Sequence, residues 1–288
     1  MHKSTINAGR FEIPFAIAGS GPDCLVCING MQQTMAAWRA VVKRFRYEPR
    51  YRVVLFDFPH QGRAVGHPST GPVGLMEQVS IVRSVVAHVA QSRPVDLLGG
   101  SWGALVAAAF AAVTPSAIRR MVLGSFQARS NQRLRAIAER GRWMIERGRG
   151  CEIADLFIQE FGAGMSQTRR AALRAQFAQL QPEQLWQMHG QGAFLLSATD
   201  LSAFVDLRRI TAETLIVNGA ADAIVDAHDV NGTVSRIPGA ELRVVPGVGH
   251  FLHFEQPEIL DIYVDFFNRR TRSVHFGDAY VSRSDEVA

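Results

Sequence analysis

The 288 residues are 47% hydrophobic and 20% charged, a balance that excludes a disordered chain and suits one large globular domain. A net charge of +5 permits an acidic partner, but no nucleic-acid-binding motif accompanies it, so nucleic acid is not an expected ligand. Three cysteines argue against a disulfide framework. Met1 to Arg10 carries no apolar leader, and no apolar run approaches the roughly 20 residues of a membrane span, which predicts a cytoplasmic protein.

Ile6 to Ala18, broken at Ala8-Gly9 and Pro14, reads as a hairpin at the antiparallel edge of a sheet, with Gly19-Ser20-Gly21-Pro22 turning beyond it. Cys24 to Ile28 is a short buried strand. Its Cys24 and Cys27 form a C-x-x-C, but in a strand they point to opposite faces, so they read as small core residues and not as metal ligands. Ala36 to Phe45 has helical periodicity, with Trp38 and Val42 on one face. Arg52 to Phe56 is the next apolar run and closes at the breaker-rich Asp57-Phe58-Pro59-His60-Gln61-Gly62-Arg63. The amphipathic stretch Leu75 to Ala90 then crosses over to the strand Val95 to Leu98, and a helix, Trp102 to Ala112, and a strand, Met121 to Gly124, follow.

Strands alternating with helices imply an α/β protein with a mostly parallel sheet covered on both faces. The alternation stops after Ser125. From Phe126 to about Val205 the sequence reads as helices broken at Gly148 to Gly150, Gly162 to Gly164, Pro182 and Gly190 to Gly192. Strands resume at Thr214 to Asn218 and Glu241 to Val245, before an amphipathic helix, Glu258 to Phe267. The expected organisation is a core of residues 1–125 and 206–270, an inserted helical cap at 126–205, and a mostly polar tail at 271–288.

The chemistry centres on Gly99-Gly100-Ser101-Trp102-Gly103, a G-x-S-x-G between an apolar strand and an alanine-rich helix. Such a turn strains its central residue, demands small flanking residues, and holds the serine hydroxyl out at the carboxyl end of the sheet. The Trp102 amide, opening the helix, can then face a developing oxyanion. Two further strand ends supply an acid and a base in the order that a Ser-Asp-His triad on this topology requires, Asp222 after Thr214 to Asn218 and His250 after Glu241 to Val245. Asp226 rivals Asp222 as the acid, and His253 lies near His250. Of the other histidines, His60, His67, His189 and His228 read as loop or surface residues; no pair has metal spacing, and no cofactor is expected. The second oxyanion donor is expected from the loop after Cys24 to Ile28, at the Met31 amide.

These motifs, with Gly249-His250-Phe251, resemble the α/β-hydrolase superfamily over almost the whole sequence, which implies an α/β-hydrolase fold with an inserted helical cap. A narrower resemblance is to the hydroxyalkanoyloxyalkanoate synthases of rhamnolipid biosynthesis, the acyl-coupling component of the rhamnosyltransferase, and to related 3-hydroxyacyl carrier-protein transacylases. It is carried by Asn29-Gly30, where most of the superfamily has His-Gly, by Val53-Val54-Leu55-Phe56-Asp57, Ser101-Trp102-Gly103 and Gly249-His250-Phe251-Leu252, and by the tail near His275-Phe276. The resemblance implies a 3-hydroxyacyl group carried from acyl carrier protein or coenzyme A onto Ser101, with Asn29 at the substrate.

A serine triad leaves the second nucleophile open, because water gives an esterase or thioesterase and a positioned hydroxyl gives acyl transfer. Cleavage of a carbon–carbon bond uses the same triad, and a non-catalytic receptor on the same scaffold is the alternative of another class. Phe157, Phe161, Phe177, Trp186, Phe194 and Leu195 are candidates for an acyl pocket, although their helical spacing equally suits an ordinary core. Between Phe126 and Leu180 ten arginines face five acids, a surplus that could dock an acidic carrier or the phosphates of coenzyme A.

Overall fold

The computed structural model describes residues 2–64, 71–90 and 93–269; His67 and the tail 271–288, with His275 and Phe276, lie outside the described residues. Its strands are β1 (His2–Ala8), β2 (Phe11–Ala18), β3 (Asp23–Ile28), β4 (Tyr51–Phe56), β5 (Val95–Gly100), β6 (Ile118–Gly124), β7 (Glu213–Gly219) and β8 (Glu241–Val245). They form one sheet in the order β1-β2-β4-β3-β5-β6-β7-β8. The β1–β2 hairpin turns at Gly9, whose positive φ suits a residue without Cβ. From β4 to β8 every pairing is parallel, so all the β-to-α loops open at one edge of the sheet.

Helices cover both faces, as the unbroken apolar runs of the central strands require. On one side α2 (Leu75–Val89) and α3 (Trp102–Val113) bury Val82, Val86 and Phe110 against Val26 and Leu97. On the other, α1 (Arg39–Phe45) and α9 (Ile259–Phe267) bury Val41, Phe45, Val264 and Phe267 against Leu25, Val53 and Leu98. Cys24 joins the first core and Cys27 the second, as a two-residue side-chain period dictates. Ahead of α1 the backbone makes a tighter 3₁₀ turn, Met35–Trp38. That turn advances the buried face by a residue, so Val41 is fully buried and Val42 only partly.

β6 starts three residues before the apolar run because Arg119 and Arg120 belong to the strand. Arg119 Nε and Nη2 meet Asp96 Oδ1 and Oδ2 at 2.9 and 2.5 Å. Asp96 is wholly buried and also takes a hydrogen bond from the Tyr51 hydroxyl at 2.9 Å. Arg120, also wholly buried, reaches Glu213 and the Phe267 carbonyl. Removing Arg119 leaves a buried carboxylate without its counter-ion, so Arg119→Leu is expected to cost about 3–5 kcal/mol in denaturant unfolding. A change below about 1 kcal/mol, the range of an exposed pair, would show that the bridge is solvated.

Between β6 and β7 lie α4 (Gln132–Glu146), α5 (Ile153–Phe161), α6 (Gln167–Phe177) and α7 (Pro182–Ser197). The expected break at Gly190 to Gly192 does not occur, since α7 runs straight through it. Both glycines serve close packing there: a Cβ on Gly190 would come within 2.3 Å of Pro72, and one on Gly192 within 3.0 Å of the Arg142 stem. A short helix that the sequence pattern does not reveal, α8 (Ala227–Val234), follows β7. No described helix is long and apolar enough to cross a membrane.

Candidate active site

Ser101 stands between β5 and α3 with φ 54° and ψ −120°, a strained conformation for a residue with a Cβ. The flanking glycines make the turn possible. A Cβ on Gly103 would lie 2.1 Å from the Ile28 carbonyl oxygen, and one on Gly99 would lie 2.6 Å from that of Gly103. By contrast a Cβ on Gly100 would meet only the Trp38 ring, at 3.9 Å. The Ser101 N–H donates to the Gly124 carbonyl at 2.8 Å, tying the turn to the end of β6.

His250 Nε2 is 3.0 Å from the Ser101 hydroxyl, and His250 Nδ1 is 2.8 Å from Asp222 Oδ2. The Asp222 side chain is fully buried. Burial pushes its carboxyl up, but the His250 ring and the Ile224 and Val225 amides outweigh this and hold it below the usual aspartate value. Asp226 is occupied elsewhere, capping α8 by accepting the N–H groups of His228 and Asp229 at 2.8 and 3.3 Å. His253 borders the same cavity as Ser101 but is stacked on Trp38, ring centroids 5.9 Å apart; burial, and then the Arg169 charge, lower its pKa to about 4, so it is neutral.

A cavity of about 410 Å³ rises from Ser101, Trp102 and His250, a size usual for a small-molecule site. Its walls are mainly apolar, with Met31, Phe157, Phe161, Leu173, Phe177 and Leu195 among them. The Phe161 ring lies 5.2 Å from the His250 imidazole and shields it from water. Arg169 and Gln176 of α6 also border it. Among the described residues no group of histidine, cysteine or acidic side chains could hold a metal ion.

A model of the alpha/beta hydrolase family matches residues 25–260. The chain belongs to the α/β hydrolase family. It is an enzyme of that type, and its enzyme relatives include the (R)-3-hydroxydecanoyl-ACP:CoA transacylase of Pseudomonas aeruginosa, 24% identical over 250 residues, which are 86% of the present protein and 82% of that relative. The pyrrolizixenacetamide deacetylase of Xenorhabdus hominickii is 26% identical over 259 residues, 88% of the present protein and 93% of that relative. Among solved structures, MGS-M2, an alpha/beta hydrolase enzyme from a Medee basin deep-sea metagenome library, matches with a TM-score of 0.80 at 22% identity, covering 93% of the present protein and 98% of MGS-M2.

Within this α/β hydrolase, three of the residues expected at the substrate lie elsewhere. Asn29 is wholly buried beneath the cavity, its amide donating to the Phe56 carbonyl and Asp57 and accepting the Trp38 indole N–H at 2.7 Å. Every polar atom of that side chain is used in holding the loop. Trp186 is half exposed on the outer face of α7, edge-on to His189. Phe194 packs behind Trp102, at 5.5 Å, and supports it from outside the cavity. Helical spacing alone could not separate these faces, because α7 has neighbours on more than one side.

Other residues prove important that no local pattern marks. Ser125, with φ 50°, donates its hydroxyl to the His250 carbonyl at 2.6 Å. The Glu255 carboxylate accepts the N–H groups on either side of His250, from Gly249 at 2.7 Å and Phe251 at 3.1 Å. Its place five residues after His250 is the one available signal. The arginine surplus between β6 and β7 is partly cancelled locally: Arg133 and Arg140 pair with Glu160, Arg142 with Glu146, Arg149 with Glu152 and Arg174 with Asp155.

Proposed function

We propose that this enzyme is a serine acyltransferase that takes a 3-hydroxyacyl group from an acyl carrier protein or coenzyme A thioester and passes it to the 3-hydroxyl of a second such group, forming a 3-(3-hydroxyalkanoyloxy)alkanoate. The observation that carries the reading is the continuous Ser101–His250–Asp222 hydrogen-bond series at the base of an apolar cavity. In it Ser101 is the nucleophile, His250 takes its proton and returns it to the leaving group, and Asp222 orients the imidazole and stabilises the imidazolium. The Met31 and Trp102 amides serve as oxyanion donors. Among the described residues neither has another acceptor.

Residues 126–205 act in this reading as a cap over a core of 1–125 and 206–270, with Phe157 and Phe161 against the acyl tail. A cavity with apolar, partly aromatic walls disfavours water and raises the effective concentration of a bound hydroxyl. The transacylase relative supports acyl transfer from a carrier. The deacetylase relative supports a second reading, in which water attacks the acyl-serine.

Product analysis separates the two. Wild-type protein given 3-hydroxyacyl carrier protein with acyl groups of C8 to C12 is expected to release the dimeric ester, read by mass spectrometry of the lipid extract, and to carry a 3-hydroxyacyl mass increment on Ser101. Monomeric hydroxy acid alone would make it a thioesterase, and transfer to coenzyme A would make it a transacylase. Failure to acylate Ser101 from any carrier or coenzyme A thioester would overturn the acyl-donor assignment.

A further inference from the structure

Two glutamines outside the Ser101–His250–Asp222 series fix both backbone polar groups of Gly30 at the cavity edge. Gln33 Oε1 accepts the Gly30 N–H at 2.9 Å, and the Gln33 N–H donates to the Gly30 carbonyl at 3.1 Å. From the turn after β4, Gln61 Nε2 donates to the same carbonyl at 3.1 Å. Gln61 is 1% exposed, and its own backbone is held by the Phe58 carbonyl and the Ala64 N–H, each at 3.0 Å. The Gly30 carbonyl therefore has two fixed donors and a single direction.

A trans peptide is planar, so a carbonyl held one way turns the next N–H the opposite way. Here that N–H belongs to Met31, which borders the cavity with Ser101 and Trp102. Gly30 without a Cβ would otherwise allow this peptide to rotate, and a larger residue would crowd Gln33 Oε1 at 3.0 Å and the Gly100 carbonyl at 3.1 Å. The site thus needs a flexible residue and must then immobilise it.

We infer that Gln61 is a positioning residue for acyl transfer: by holding the Gly30 carbonyl away from the reacting carbon it keeps the Met31 N–H aimed at the oxyanion. This rests on the reading of Ser101 as nucleophile and Met31 as oxyanion donor. In the step concerned, Ser101 Oγ bonds to the acyl carbon while its proton passes to His250 Nε2. The carbonyl electron pair moves onto oxygen, where the Met31 and Trp102 N–H groups meet it. On collapse the pair returns, the carbon–sulfur bond breaks, and the thiolate leaves with the proton from His250. A Gly30–Met31 peptide turned over would present a carbonyl oxygen to that oxyanion in place of a donor.

Among the described residues Gln61 Oε1 has no hydrogen-bond partner, so Gln61→Met, similar in length and apolar, removes the donor and one unsatisfied atom together. Little stability should be lost. Its kcat is expected to fall about 10- to 100-fold, less than for outright loss of a donor because Gln33 still holds the carbonyl. An alkylboronic acid, whose adduct with Ser101 places an oxygen where the oxyanion forms, should bind more weakly by a similar factor. KM, the affinity of an unreactive alkyl thioether analogue and the melting temperature should stay near wild type. Gln61→Glu, which sets a carboxylate against the carbonyl, should lose at least as much kcat and provides the test should the first variant not fold.

A kcat within about twofold of wild type in either folded variant overturns the proposal. So does equal weakening of the boronate and the thioether, because that pattern reports general damage to the cavity. Failure of the underlying reading is separately visible, as turnover by Ser101→Ala or as a boronate that does not bond to Ser101.

Discussion

Ser101→Ala is expected to lower kcat by about 10⁴ to 10⁶ while leaving the fold intact, as for other serine triads. The hydroxyl removed is the atom 3.0 Å from His250 Nε2. The backbone of the turn keeps its support, because the Ser101 N–H bond to Gly124 and the Ser101 carbonyl bonds from Ala104 and Leu105 do not involve the side chain. Circular dichroism and melting temperature should therefore match wild type. Near-normal turnover in the folded variant would remove Ser101 from the mechanism and with it the acyl-serine.

Asp222→Asn is expected to cost about 10⁴ in kcat, because it changes which imidazole nitrogen carries the proton. Asp222 Oδ1 accepts the Ile224 N–H at 3.1 Å, and Oδ2 faces His250 Nδ1. An asparagine placed there keeps its oxygen toward Ile224 and turns its NH₂ to the ring. His250 must then accept at Nδ1 and carry its proton on Nε2, facing a serine that needs a base. Asp226→Asn should keep kcat within about twofold, since its side chain caps α8 and asparagine caps a helix as well as aspartate does. Steady-state kinetics on the two variants settle the comparison; the reverse ranking would assign the acid to Asp226.

Much of this protein is legible in its sequence because the relevant physics is local. The two-residue period placed Cys24 and Cys27 on opposite faces, and the strand-helix alternation gave the parallel sheet; the small residues around Ser101 announced a strained turn. The order of Ser101, Asp222 and His250 in the sequence follows from the sheet topology that this alternation encodes. The tertiary structure alone decided what depends on distant contacts. His250 meets Asp222, 28 residues away, and Ser101, 149 residues away, while the Asp226 carboxylate is engaged by a helix end. Packing against Pro72 carried α7 through two glycines that read as a break. Asn29 went into the floor of the site because three groups from other elements use its amide, and Gln61 reached Gly30 across 31 residues through a turn whose only visible signal was its breakers. The periodicity of a side chain shows which way it leaves its own element, whereas its partners are set by how whole elements pack, and the chemistry of this cavity is made of such partners.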